Sequence, residues 1–163
     1  MIIRKTTARD VAAAEKIYQD ARVFMRKTGN PTQWNKEYPN RDSILSDIEG
    51  GVGYVCEEEG EILAVFMFSV GRDKTYDIIY DGAWLNDAPY AVIHRIAVAD
   101  SAHGKGVAGF CFQECFARFP NLKIDTHRDN IPMQRALARA GFERCGIIHL
   151  ENGEERVAFQ KCR

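Results

Sequence analysis

Hydrophobic and polar positions follow two periods along this chain, and the switches between them predict its elements. Residues 1–6 read as a short strand. Ala14, Ile17, Tyr18, Ala21, Phe24 and Met25 then recur at helical spacing. They give one apolar face to a helix that starts at Thr7, with Asp10 as a shortened capping box. Gly29-Asn30-Pro31 stops that helix. The polar stretch TQWNKEYPNRDS carries Trp34 and Tyr38 and leads to a short helix around Ile44–Ile48, ended by Gly50-Gly51. Gly53–Glu58 and Ile62–Val70 read as strands joined by a tight hairpin at Glu59-Gly60. Residues 71–90 hold Tyr76, Tyr80, Trp84 and Tyr90 without a period, and are expected to form a loop with short helical or strand pieces. Ala91–Val98 is a predicted strand. Gly106–Phe119 is a predicted helix, apolar almost all round and so expected to be buried on most sides. Asn121–Thr126 is a strand, and Asn130 caps a further helix with Pro132 in its first turn and Gly141 at its end. Phe142–Leu150 and Arg156–Cys162 complete the chain as two strands about an Asn152-Gly153 turn.

The order β-α-α-β-β-β-α-β-α-β-β predicts an α/β (α+β) fold, a mixed sheet crossed by a few helices. No repeat or linker interrupts it, so residues 1–163 form a single domain. A chain of 163 residues, 45% apolar and 28% charged, is long enough to bury a proper core. Its net charge of −1 argues against nucleic acid as a partner. The longest apolar run, Ile62–Phe68, is too short to span a bilayer, and MIIRKTTARD lacks the features of a signal peptide. A cytoplasmic protein without a membrane partner is expected. Cys111 and Cys115 lie four apart on a predicted helix, but no CxxC or HxxxH accompanies them. The five cysteines are therefore read as mainly buried free thiols, with no metal.

Candidate chemistry concentrates in RIAVADSAHGKGVAGFCFQECF, residues 95–116, where Gly104, Gly106 and Gly109 spell G-x-G-x-x-G. A strand precedes them, a helix follows, and Asp125 lies 21 residues after Gly104, as a site for NAD or FAD would require. Three features oppose that reading. Ala99–His103 intervene between strand and glycines, the motif begins after roughly ninety residues, and the chain ends in a hairpin rather than further βα units. A Walker loop is absent, since Gly106 follows Lys105. A glycine-lined helix N-terminus still offers unpaired N–H groups to an anion, with His103 and Lys105 adding positive charge at its rim. The alternative is a plain tight turn.

Two blocks, IAVADSAHGKGVAG and DNIPMQRALARAGF, lie about 25 residues apart in this order of elements. Together they resemble the GNAT superfamily of acyl-CoA-dependent N-acyltransferases, and the resemblance covers nearly the whole chain. It implies a mostly antiparallel central sheet of about seven strands with helices on both faces and a splayed strand pair for CoA. The family's phosphate loop, Arg/Gln-x-x-Gly-x-Gly/Ala, falls on His103, Gly104, Lys105, Gly106, Val107 and Ala108, with His103 departing from the pattern. That loop would cradle the pyrophosphate of CoA. Backbone groups of Ile96, Ala97 and Val98 would pair with the pantetheine arm, and Asn130 and Met133 would approach it from the other side. The implied activity is transfer of an acetyl group from acetyl-CoA to a primary amine of a small molecule or peptide, directly in a ternary complex. A homodimer is a common arrangement in that family. The tyrosine that many members carry four residues before Gly-Phe is Leu137 here.

Such a reaction needs a base to take the amine proton and a backbone N–H, here that of Val98, to hold the developing oxyanion. Imidazole suits the first task. His103 belongs to the cradle and His149 to the penultimate strand, which leaves His127 and His94. His127, just after a strand in IDTHRDN, is the preferred base. His94, placed by alternation on the face of Ile96 and Val98, is a substrate-orienting residue or an alternative base. Glu57–Glu59 and Asp125 rank below them. Trp34, Tyr38, Tyr80 and Trp84 lie on the two segments expected to wall the acceptor pocket, which would favour an acceptor with an apolar or aromatic part. Leu137 keeps a second reading open, a non-catalytic acyl-CoA-binding or sensory module, and an NAD- or FAD-binding enzyme stands third.

Overall fold

The computed structural model describes residues Met1–Arg163. Its strands are β1 (Ile2–Lys5), β2 (Gly53–Glu58), β3 (Glu61–Val70), β4 (Ala91–Val98), β5 (Asn121–Thr126), β6 (Glu143–His149) and β7 (Glu155–Cys162). Its helices are α1 (Val11–Lys27), α2 (Arg41–Glu49), α3 (Val107–Arg118) and α4 (Ile131–Arg139). The sheet order is β1-β2-β3-β4-β5-β7-β6, antiparallel except between β4 and β5. The predicted fold class and element order are those observed.

Local chemistry sets most boundaries. The Thr7 amide donates to Asp10 Oδ2 at 2.8 Å, closing the short capping box on a 3₁₀ turn that leads into α1. Glu59 and Gly60 both take positive φ, 51° and 82°, the geometry that a two-residue hairpin between right-twisted strands requires. Ala14, Ile17, Tyr18 and Ala21 of α1 pack with Val55, Val65 and Ala97 on one face of the sheet. On the other face α3 and α4 bury Cys111, Phe112, Cys115 and Leu137 against Ile93, Ile96 and Ile124. The expectation that α3 is buried on all but a polar edge of Gln113, Glu114 and Arg118 needs correction, because Gly109 and Ala117 are exposed as well and Phe110 and Phe116 are only half-buried. Its apolar width has another use, lining a cavity beside α4.

β4 carries the feature that shapes the site. Val65 pairs with Ala97 but Met67 pairs with His94, so β4 holds one residue more than β3 over this span. Arg95 sits in that bulge with φ +53°, a conformation costly for a side chain with Cβ. Two helices hold it there. The Tyr18 hydroxyl donates to the Arg95 carbonyl at 2.9 Å, and Arg95 Nη2 lies 2.6 and 2.7 Å from the two Asp47 oxygens. β4 has already left its parallel neighbour before the bulge: β4 and β5 pair only at Ala91↔Leu122 and Val92↔Lys123. The bulge also breaks the alternation used for His94. Ile93 and Ile96 pack on the α3 face, whereas His94 lies against the 71–90 segment, so His94 and Ile96 do not share a face.

The 71–90 segment is more ordered than its sequence suggests. A 3₁₀ turn at Lys74–Tyr76 buries the Tyr76 ring, and Tyr80 exchanges both backbone hydrogen bonds with Ile147 at 2.8 Å on the outer edge of β6. Gly146 has no room for a Cβ, which would come within 2.4 Å of the Tyr80 oxygen. Four cysteines are buried free thiols and Cys162 is half-buried. No helix is long and apolar enough to cross a membrane.

Removing the Asp47 carboxylate strands a largely buried guanidinium. Asp47→Ala is expected to destabilise the protein by roughly 3 kcal/mol, lowering Tm by about 6–12 °C in thermal unfolding. A loss below about 1 kcal/mol would mean that the bulge does not depend on this pair.

Candidate functional site

The divergence of β4 from β5 opens two cavities that meet at Met25, Ile96, Asn130 and Met133. The larger, about 1070 Å³, lies between the start of α3 and α4. Among its walls are His103, Gly104, Gly106, Val107 and Ala108 of the glycine loop, with Ile96, Ala97 and Val98 of β4. Gly104 and Gly106 have φ of +77° and +74°, and nothing lies within 4 Å of where their Cβ atoms would be. The N–H groups of Gly104, Gly106, Val107, Ala108 and Gly109 make no hydrogen bond in the protein, so five donors stand at the N-terminus of a twelve-residue helix.

Positive charge reaches this cavity from an unexpected side. Lys105 does not line it, whereas the exposed Arg139 of α4 does. Lys161 also lines it, but its Nζ donates to the Ala140 carbonyl at 2.8 Å. Arg139 was legible in principle, falling at helical spacing after Asn130, Met133 and Ala136, which share the wall. His103 turns its ring onto Phe24, with centroids 4.8 Å apart, and its Nε2 lies 3.2 Å from the Val98 carbonyl oxygen.

Strand alternation decides which backbone groups face the gap. Ala99 N–H donates to Leu63 in β3, so Ala97, one repeat back and opposite Val65, also turns its groups to β3. Those of Val98 turn to the gap. Ala97 therefore lines the cavity without offering it a backbone donor, a correction to the three-residue expectation. Asn130 performs two tasks: its Oδ1 accepts the Met133 amide at 3.2 Å, capping α4, and its Nδ2 donates to Gln33 Oε1 at 3.0 Å. Leu137 is fully buried, so the position that holds a tyrosine in the resemblance is a core position here.

The smaller cavity, about 530 Å³, is walled by β4, β5, the 30–38 loop, the 71–75 segment and the β6–β7 hairpin. His94 lines it, with Nε2 2.7 Å from Asp73 Oδ2. Asp73 also accepts the Thr75 amide and hydroxyl at 2.9 and 2.7 Å. Burial pushes the Asp73 carboxyl upward, but the hydrogen bonds from His94 and Thr75 hold it down at about 2. An ionised carboxylate is an acceptor only, so Nε2 of His94 carries the hydrogen, and its Nδ1 makes no hydrogen bond. Asp125 lines the cavity as well, taking the Tyr76 hydroxyl on Oδ2 at 2.7 Å and leaving Oδ1 without a partner. Burial raises its pKa. Asp73 lies in the aperiodic segment, and no sequence signal pointed to it.

His127 does not join this constellation. Its Nδ1 accepts the Asp129 amide at 3.0 Å, which puts the ring hydrogen on Nε2, 3.2 Å from Thr32 Oγ1. Both nitrogens are occupied, the ring lines neither cavity, and burial, then the charge of Arg156, lower its pKa. Of the expected wall aromatics, Trp34 and Tyr38 line the smaller cavity and the other two do not. Tyr80 stacks on His149 at the outer edge of β6, centroids 4.5 Å apart, carried there by its bridge to Ile147. Trp84 donates to the Tyr76 carbonyl at 2.8 Å and covers Lys123 Nζ at 4.2 Å, packing behind the cavity.

Because the folded pKa of Asp73 lies below its ordinary 3.8, the stabilisation is complete above about pH 5 and is lost as pH falls through about 2. Partial solvation reduces the full value of roughly 2.5 kcal/mol, so Asp73→Asn is expected to cost on the order of 1 kcal/mol near neutrality. The difference should shrink in urea unfolding at pH 3. A cost independent of pH would show that the carboxylate charge is not what stabilises.

Comparison with known proteins places this geometry among relatives. The family model for the acetyltransferase (GNAT) family matches residues 14–142. A GNAT-family acetyltransferase from Streptococcus agalactiae shares 32% identity, with a TM-score of 0.91 over 99% of this chain and 95% of its own. A ribosomal-protein-alanine N-acetyltransferase from Brucella melitensis shares 19% identity, with a TM-score of 0.68 over the whole of both chains. yncA from Salmonella typhimurium, solved with its cofactor acetyl-CoA, shares 18% identity, with a TM-score of 0.63 over 98% of this chain and 91% of its own. No curated protein gives a significant match.

Proposed function

The chain belongs to the acetyltransferase (GNAT) family, and from that premise we propose that it moves the acetyl group of acetyl-CoA directly onto the primary amine of a small-molecule or peptide acceptor within a ternary complex. The observation that carries this reading is the junction of the two cavities at the β4–β5 divergence. An anion cradle opens there onto an acid–histidine pair.

The residues present fit the cofactor. The five free N–H groups beside Gly104 and Gly106 suit a pyrophosphate, with Arg139 as a cation, and Val98 offers backbone groups to an extended arm. Acetyl-CoA supplies an acyl carbon activated as a thioester: the amine nitrogen bonds to that carbon, the carbon–sulfur bond breaks, and the amine gives up its protons. His94 takes the first of these on Nδ1, the nitrogen left free by the hydrogen bond of Nε2 to Asp73. Asp73 fixes the tautomer and supports the imidazolium that results. The Val98 N–H donates to the carbonyl oxygen as negative charge gathers on it. Since Leu137 carries no proton, the sulfur takes its proton from His94 or from water.

Two measurements test this. At a hundred times its dissociation constant acetyl-CoA should add about 2.7 kcal/mol, several degrees in Tm, and Gly106→Val should abolish the shift by forcing a β-branched residue to positive φ. NAD and FAD should give none. With saturating acetyl-CoA and an amine panel, His94→Gln should lower kcat by about 100-fold or more, the usual share of a general base. His127→Ala should lower it less than about fivefold, below that range. Equal losses would remove His94 from its role. Cofactor binding without turnover on any amine would favour the non-catalytic module.

A further inference from the structure

The charged groups around the smaller cavity divide into those already committed and those with capacity to spare. Asp73 is committed to His94 and Thr75, and Arg95 to Asp47 and the Tyr38 hydroxyl, its one unpartnered nitrogen, Nε, being buried out of reach of solvent. Glu151 stands exposed at the rim. Asp125 and Arg156 remain. Oδ1 of Asp125 has no partner. Arg156 is almost fully buried, yet it lines the cavity. Its Nη1 donates to the Glu155 carbonyl at 2.9 Å. Its Nη2 donates to Glu154 Oε2 at 3.2 Å and the Gln33 carbonyl at 3.4 Å, while Nε donates to nothing.

These two groups face the same space from adjacent strands. Asp125 lies directly opposite Ala158 in the β5–β7 register, and Arg156 is two residues along β7 on the face of Ala158. That makes Arg156 the diagonal neighbour of Asp125 on one face of the sheet. They carry opposite charges but form no ion pair with each other. An α-amino acid carries its ammonium and its carboxylate on one carbon, so a single ligand can engage a free carboxylate oxygen and a guanidinium that do not meet each other.

We propose that the acceptor is an α-amino acid, or a molecule with the same amine-beside-carboxylate arrangement, bearing an apolar or aromatic side chain; Asp125 receives its ammonium group and Arg156 its carboxylate. Met25, Trp34, Ile124 and Leu150 line the same cavity and supply the apolar surface. The proposal rests on the acetyl-transfer reading of this site and narrows it. Tyr76 links the parts, since its hydroxyl holds Asp125 and its ring centroid lies 6.0 Å from that of His94. Asp125 and His94 thus both contact Tyr76 and line the same cavity.

The test compares L-phenylalanine with 2-phenylethylamine, and L-leucine with 3-methylbutylamine. The two readouts are the melting shift of the CoA-loaded protein and thiol release from acetyl-CoA. The amino acids should stabilise the protein and react with kcat/KM at least about 100-fold above the matched amines, a full guanidinium–carboxylate contact. Arg156→Met should cut that preference at least about 30-fold, and Arg156→Lys should recover part of it; the retained melting shift with acetyl-CoA reports that each variant is folded. If the amines match the amino acids, or if Arg156→Met keeps the preference, the proposal is overturned. Amino acids that stabilise the protein through Arg156 without thiol release would support the carboxylate anchor and overturn acetyl transfer. If no compound stabilises the protein or reacts, the anchor falls, whatever acetyl-CoA does alone.

Discussion

The single extra residue in β4 is the constraint on which the site depends. β4 pairs with β5 only at Ala91 and Val92, and the stretch that then borders the gap carries the bulge against β3. There Arg95 takes a left-handed backbone conformation that a residue with Cβ avoids. The cost is offset by the Tyr18 hydroxyl on its carbonyl and by the Asp47 carboxylate on its guanidinium. Both partners come from helices on one face, so the packing of α1 and α2 holds the bulged strand that borders the opening.

From that opening follows a division of labour among charges. The cavity beside α3 presents backbone dipoles, with five N–H groups unpaired where glycines keep side chains out of the way. The smaller cavity relies on ionisable side chains whose hydrogen bonds separate fixed groups from available ones. Asp73 is saturated and strongly acidic, which makes it a support. Asp125, with one oxygen free and its acidity weakened by burial, is available to a ligand. Residues of the same type on neighbouring elements thus take different roles because of their neighbours.

Features encoded locally were legible from the sequence. Helix caps at Thr7 and Asn130, the Glu59-Gly60 hairpin and the glycine loop each depend on a few adjacent residues, and they stand where the pattern puts them. What depends on register was not legible. The period-2 rule put His94 beside Ile96, but the bulge separates them. Asp73, Tyr76 and Trp84 lie in a stretch whose order comes from packing against β4, β5 and β6, so sequence exposed their chemistry but not their places. His127 drew attention as a histidine at a strand end, and the geometry gives both its nitrogens to neighbouring residues in loops.

The bridge between Tyr80 and Ile147 bears on how the molecule meets other chains. An edge strand with unpaired amides is a template on which a further strand can grow, and a seven-stranded sheet has two such edges. On β6 the amide and carbonyl of Ile147 and the carbonyl of Cys145 are already taken by the crossing segment, and Gly146 lets that segment lie flush. The fold therefore seals one margin of its sheet with its own backbone. Extension by strand addition is left to the four residues of β1, whose edge is too short to nucleate much.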